Sequence, residues 1–150
     1  MLRLVLIASL FLSLLSGCKK DDGSNPTPGE ASELLVGNNW RATSITTTNG
    51  QEINKNRLDL FTQSLFELNM QFRSNGRVNA TDPLQANSVV NGGTWTMASD
   101  SQSIDVDVTG FKGNFPIVQL TKNKLILRQD DKASVDGQKT NIHIVFDPVL

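Results

Sequence analysis

Between positions 66 and 73 the chain alternates without a break, with Phe66, Leu68, Met70 and Phe72 set against Glu67, Asn69, Gln71 and Arg73. A period of two places the first four side chains on one face of a pleated strand and the other four on the opposite face, so one face calls for burial and the other for water. The same repeat returns in Ile104, Val106 and Val108 against Asp105 and Asp107, and in Ile142, Ile144 and Phe146 against His143, Val145 and Asp147. Turn residues interrupt these runs every eight to twelve positions, the pattern of an antiparallel all-β domain. Eight strands are expected, with cores at 40–48, 65–73, 77–81, 93–98, 103–109, 115–121, 124–129 and 140–147. A single sheet with one apolar face must close on itself or find a second layer.

Register can be tested against these faces, because a slip of one residue would turn an apolar side chain into water. After the second strand, a three-residue Ser74-Asn75-Gly76 loop with Gly76 left-handed sets Phe72 opposite Val78, whereas a two-residue loop would set it opposite Asn79. A loop over 99–102 sets Met97 opposite Ile104 and Trp95 opposite Val106. A tight Lys122-Asn123 turn sets Leu120 opposite Leu125 and Val118 opposite Leu127, all four facing inward.

Short connections alternate with longer ones, so in a meander one end carries tight turns and the other is ringed by longer loops, at 110–114 among others. The longest joins the first two strands and carries Leu58, Phe61 and Leu65 at helical spacing behind Asn56, an N-cap with Asp59 three residues on. A short helix is expected there. These features together describe an eight-stranded up-and-down antiparallel barrel, with a two-sheet sandwich as the alternative.

Four stretches carry a resemblance to the lipocalin-like domains of small bacterial lipoproteins: Leu34-Leu35-Val36-Gly37-Asn38-Asn39-Trp40, Phe72-Arg73-Ser74-Asn75-Gly76, Asn91-Gly92-Gly93-Thr94-Trp95-Thr96, and Val118-Gln119-Leu120-Thr121-Lys122-Asn123-Lys124-Leu125. The resemblance runs from Leu34 onward and implies the barrel over 32–150. The chain departs from it twice: two residues separate Gly37 from Trp40 where the lipocalin motif has one, and Ser64-Leu65-Phe66 stands where many relatives carry a cysteine.

Ahead of the domain, Arg3 and the apolar run 4–15 lead into Leu14-Leu15-Ser16-Gly17-Cys18. The run is too short to persist as a membrane-spanning helix and reads as a signal peptide over 1–17. The small residues before the chain's single cysteine resemble the lipobox of bacterial lipoproteins. That resemblance implies cleavage before Cys18, a diacylglyceryl group on its thiol and an acyl chain such as palmitate on the new amino terminus. Residues 18–31, rich in charge, Pro and Gly, read as a flexible tether that would hold the domain on the order of 20 Å from its anchor. Asp21-Asp22 behind Lys19-Lys20 resemble the export tags of some Gram-negative surface lipoproteins, so the expected location is the outer membrane, facing the cell surface or the periplasm.

Composition narrows the function. Loss of Arg3 leaves 13 basic residues against 15 acidic ones, a balance that attracts neither nucleic acid nor anionic lipid. With Cys18 committed to lipid, no disulfide, thiolate nucleophile or cysteine metal site remains. His143, the only histidine, alternates with Ile142 and Ile144 and so faces outward, with no local nucleophile to activate. Asp105 and Asp107 supply too few oxygens for a hard cation and read as a solvated face. No enzyme, cofactor or metal is expected.

Two functions of different class remain. One is a carrier of a small hydrophobic ligand or lipid, with Leu58 and Phe61 as a lid and Phe66, Met70, Trp95 and Met97 lining the lumen. The other is a non-catalytic interaction or structural protein with a filled core, meeting a protein or glycan through its loops. The lumen lining is almost wholly apolar, whereas ligand pockets add a few placed polar groups.

Overall fold

The computed structural model describes residues 26–149. The signal peptide, Cys18 and the tether up to residue 25 lie outside the described residues. Eight antiparallel strands follow one another around a closed barrel: β1 (Asn39–Thr47), β2 (Asn69–Phe72), β3 (Arg77–Asp82), β4 (Ser88–Met97), β5 (Ser103–Val108), β6 (Phe111–Thr121), β7 (Lys124–Val135) and β8 (Gln138–Val149). The ring closes where β1 meets β8, with Ala42 opposite Phe146 and Ile45 opposite Ile144. Inward side chains from all eight strands form one continuous buried cluster. Among the described residues, no helix is long and apolar enough to cross a membrane.

The hairpin logic holds where turn chemistry leaves one choice. Phe72 faces Val78, and Gly76 is left-handed at φ 76°. Met97 faces Ile104, Trp95 faces Val106, and Leu120 faces Leu125. Val118 departs from expectation. A bulge between Ile117 and Gln119 sets Ile117 opposite Leu127 and turns Val118 outward, 45% exposed. A bulge adds one residue to one strand, so the side chains beyond it exchange faces.

The domain begins earlier than Ser32. Helix α1 (Pro28–Val36) starts inside the expected tether, and Ala31 and Leu35 are fully buried. Proline at its start lacks only an N–H that would find no partner in the first turn. The Glu30 carboxylate accepts bonds from the Thr27 amide (3.1 Å) and hydroxyl (2.7 Å). α1 packs against β2 and β6 at the end of the tight turns, where the Trp40 indole N–H donates to the Leu35 carbonyl at 2.9 Å.

The strands around the opposite end are longer than their expected cores, so most loops there contract. β6 begins at Phe111, whose ring stacks on Phe115 at 4.3 Å, leaving Thr109-Gly110 as the turn from β5. β7 and β8 extend to a two-residue Asp136-Gly137 turn with φ 52° and 79°. That is the signature of a type I′ hairpin. β4 starts at Ser88, after one turn of 3₁₀ helix at Pro83–Gln85.

β2 is shorter than expected. Helix α2 (Leu60–Ser64) is followed by further turns, in which the amides of Leu65, Phe66 and Glu67 donate to Thr62, Gln63 and Ser64. Those donors are therefore withheld from a ladder, and pairing begins only at Asn69. The cap of α2 is Asp59 and not Asn56: its carboxylate accepts the Thr62 amide at 2.9 Å.

Candidate functional site

After β1 the chain turns at 48–50 and runs back along it, with Glu52 bridging to Thr46 and the Ile53 amide donating to the Ile45 carbonyl at 2.8 Å. It then reaches the β7–β8 hairpin. Leu58 bridges to Val135, the Asp136 amide donates to the Arg57 carbonyl at 2.8 Å, and the Asp59 amide donates to the Ser134 carbonyl at 3.0 Å. Next comes Phe61, whose ring lies on Gly110 in the β5–β6 turn. β5 and β6 stand across the ring from β1 and β2, so this segment crosses the barrel mouth before entering β2. Ile53, Leu58 and Leu65 point from it into the core. With α1 at the other end, the lumen is covered at both ends.

Two side chains hold the crossing in place. Asp59 caps α2, accepts the Thr62 hydroxyl at 2.8 Å and accepts the Ser134 amide at 3.1 Å. Partial burial pushes its carboxyl upward, but the bonds from Thr62, Ser134 and Phe61 outweigh this and hold it below the ordinary carboxylate range. Arg57 donates from Nε and Nη2 to one oxygen of Asp136, at 2.9 and 2.7 Å.

The structure places the six expected lid and lumen residues at different points of the fold. Leu58 is buried against Val135, and Phe61 is 40% exposed. Phe66 is half-buried, with the Lys55 ammonium 5.1 Å from its ring centre. Met70 is core, paired with Trp40 and Ala80. Trp95 sits toward the tight-turn end: its indole donates to the Arg73 carbonyl at 3.0 Å and its ring meets Phe72 edge-on at 5.6 Å. Met97, half-buried, ends β4 at that same end. Leu58, Met70 and Trp95 thus belong to the buried core, and Phe66 and Met97 border it.

Two depressions lie outside the lumen. One, of about 250 Å³, sits on the outer wall of β4–β6, where Asp107 pairs with Lys112 at 2.9 Å. The other, of about 420 Å³, opens beside the crossing segment and the β7–β8 hairpin, with Ile53 and Val135 below, Thr47 and Thr140 beside them, and Gln138 and Lys139 at the edge. The Arg57–Asp136 pair borders it. Neither Arg57, Asp136 nor Val135 was expected at a site. Ala133 and Val135 before Asp136-Gly137, with Thr140 and Ile142 after it, keep a period of two across a type I′ dipeptide, and that signal marks the hairpin.

Large apolar side chains also stand exposed at this end: Leu60 (84%) and Phe61 on α2, Leu84 (89%) on the 3₁₀ turn, and Val89 and Val90 at the start of β4. His143 is half-buried on the outer wall opposite Arg128. Burial, with help from the Arg128 charge and against Asp130, lowers its pKa. Asp105 accepts from Asn114 at 3.1 Å. Among the described residues, no group of three or more His, Cys, Asp or Glu is placed to hold a metal ion.

No protein-family model matches the chain, and no curated protein matches it. Among solved structures it is similar to a lipocalin-like protein from Bacteroides uniformis, with 13% identity, a TM-score of 0.49, and 77% of this chain and 99% of that one covered. It is also similar to a DUF4847 family protein from Bacteroides vulgatus, with 14% identity, a TM-score of 0.48, and coverage of 77% and 95%.

Proposed function

We propose that this chain is a lipid-anchored, non-catalytic lipoprotein of the outer membrane that meets a protein partner through the loop-rich end of its barrel. One observation carries this reading: the lumen side chains form one buried cluster, while Leu60, Phe61, Leu84, Val89 and Val90 stand exposed at the end opposite α1. Apolar side chains gathered on a surface lose little and gain much by meeting another apolar surface. Because α1 packs at the tight-turn end, a lipid on Cys18 would leave the loop end facing away from the membrane. The apolar character of the patch favours a protein over a glycan.

A photo-crosslinking residue placed at Leu84 or Val89 in intact cells should yield a discrete heavier species, abolished by Leu60→Ser with Val90→Ser. The same residue at the exposed outer-wall position Thr43 should not. Equal crosslinking at both sites would reject the reading. Anchoring is tested apart: Cys18→Ser should lose both the lipid mass and membrane fractionation.

The carrier function remains a second reading, favoured by the crossing segment itself. It covers the barrel mouth and is fastened at the β7–β8 hairpin by a few polar contacts, so a ligand would enter by parting them.

A further inference from the structure

Strand β4 begins well before the strand beside it ends. β5 stops at Val108, opposite Gly93, and the chain turns through Thr109-Gly110 into β6, so residues 88–92 run past the last β4–β5 pair. On its other side this overhang is held by β3, with Val89 opposite Thr81 and Ser88 opposite Asp82. Asn91 closes the corner with its side chain: Nδ2 donates to the Thr109 carbonyl at 2.9 Å, and Oδ1 accepts the Gly92 amide at 2.9 Å. Beyond Asn91, residues 88–90 pair with no strand on the β5 side among the described residues. The lane along which β5 would continue is therefore open. The Thr109-Gly110 turn stands at its foot, with the Phe61 ring on Gly110.

Natural sheets guard such edges with charged side chains, proline or bulges. This overhang is short and bulged at Val90, but no residue from Pro83 to Ser99 carries a charge. Val89 and Val90 are 59% and 49% exposed. An open edge offers main-chain N–H and C=O groups that an extended backbone meets at strand spacing, while neighbouring apolar side chains receive alternate side chains of the incoming segment.

We propose that this lane takes an extended, uncharged segment of a partner protein as an added strand beside residues 88–90, with apolar side chains against the exposed valines and Phe61. This presupposes the protein-partner surface at the loop-rich end and gives it a mode of binding. The absence of charge from Pro83 to Ser99 favours an uncharged segment, because a charge laid along this edge would lose water without meeting a counterion in that stretch.

The test uses the chain from residue 18 carrying Cys18→Ser, with a short peptide of alternating threonine and valine as the probe. The same peptide N-methylated at every residue keeps the side chains but donates no main-chain hydrogen bond. The plain peptide should give saturable amide shifts at residues 88–92, Thr109 and Gly110, and should slow hydrogen exchange within residues 88–90. The N-methylated peptide should bind at least tenfold more weakly. Val89→Lys with Val90→Lys should weaken the plain peptide tenfold or more and keep the parent melting temperature, because both side chains are exposed. No saturable shift, equal binding of the two peptides, or an affinity unchanged by the double substitution would overturn the proposal. So would a doubled mass in solution with the same amides protected in the absence of peptide, which would make the occupant a second copy of this chain. Crosslinking of a partner at Val89 in cells, together with any of these failures, would keep the partner surface and reject only the added strand.

Discussion

The ring of Phe61 lies directly on the bare Cα of Gly110, so close that a Cβ built there would stand 2.6 Å from Cζ and overlap the ring edge. Gly110 is also left-handed at φ 79°. Two penalties therefore meet in Gly110→Ala: backbone strain of about 1–3 kcal/mol and expulsion of the Phe61 ring from its seat. Gly137 has the same φ of 79° with nothing within 4 Å of a built Cβ, so Gly137→Ala carries the strain alone. In urea unfolding, Gly110→Ala should cost more than Gly137→Ala. The excess should vanish in a Phe61→Ala background, because the cycle removes only the shared contact. An excess unchanged by Phe61→Ala would show that the ring does not rest there.

Leu58 and Leu60 separate the inner and outer sides of the crossing segment within three positions. Leu58 is 5% exposed and bridged to Val135, whereas Leu60 stands almost free in solvent. Leu58→Ala should cost about 2–5 kcal/mol of stability. Leu60→Ala should stay within about 0.5 kcal/mol. Equal losses would mean that the segment is turned about its axis relative to the arrangement described.

Alternation made the barrel legible because a period of two leaves little freedom once one face must be dry. Met70 and Phe72, Ile104 to Val108 and Ile142 to Phe146 announced the inward face, and Asn75-Gly76 announced its turn, whereas Asn69, expected in water, is buried at the start of β2. What escaped the sequence were events that break the period or lie beyond it. The bulge at Val118 adds a residue that no local signal marks. The amides of Leu65 to Glu67 could have joined a ladder, but the turns that follow Asp59 claimed them first. α1 was hidden by Pro28 and Gly29, which read as tether until Ala31 and Leu35 are seen under the barrel. The groove was illegible for another reason: Ile53 and Arg57 are far in sequence from Val135 and Asp136, and only closure of the barrel brings the crossing segment to the β7–β8 hairpin.

The bulge makes its own prediction. With Ile117 paired to Leu127, Val118 carries its methyl groups outward, while Leu120 returns to the core. Val118→Lys should therefore leave the urea midpoint almost unmoved, within about 0.5 kcal/mol. Leu120→Ala should lose about 2–5 kcal/mol. A large loss at Val118 would restore the unbulged register in which it faces Leu127.

Asp59 links the acid stability of the crossing segment to a single carboxylate. Burial works against its charge, but the bonds from Thr62, Ser134 and Phe61 prevail and hold its pKa below the ordinary value. A carboxyl whose folded pKa is depressed adds stability that is present above the unfolded pKa and fades as pH falls through the folded one. The segment should thus be held firmly at pH 6 and loosen below about pH 4, the ordinary range for aspartate. Asn in this position can still cap α2 but carries no charge to titrate. Hydrogen exchange at the Thr62 and Ser134 amides, which donate to Asp59, reads the effect directly. At pH 6 both amides should exchange faster in Asp59→Asn than in the parent, once intrinsic rates are corrected for pH. The difference should shrink as the pH is lowered below 4, because the parent then loses the same charge. A difference that stays constant down to pH 2 would show that the carboxylate's charge does not fasten the segment to the β7–β8 hairpin.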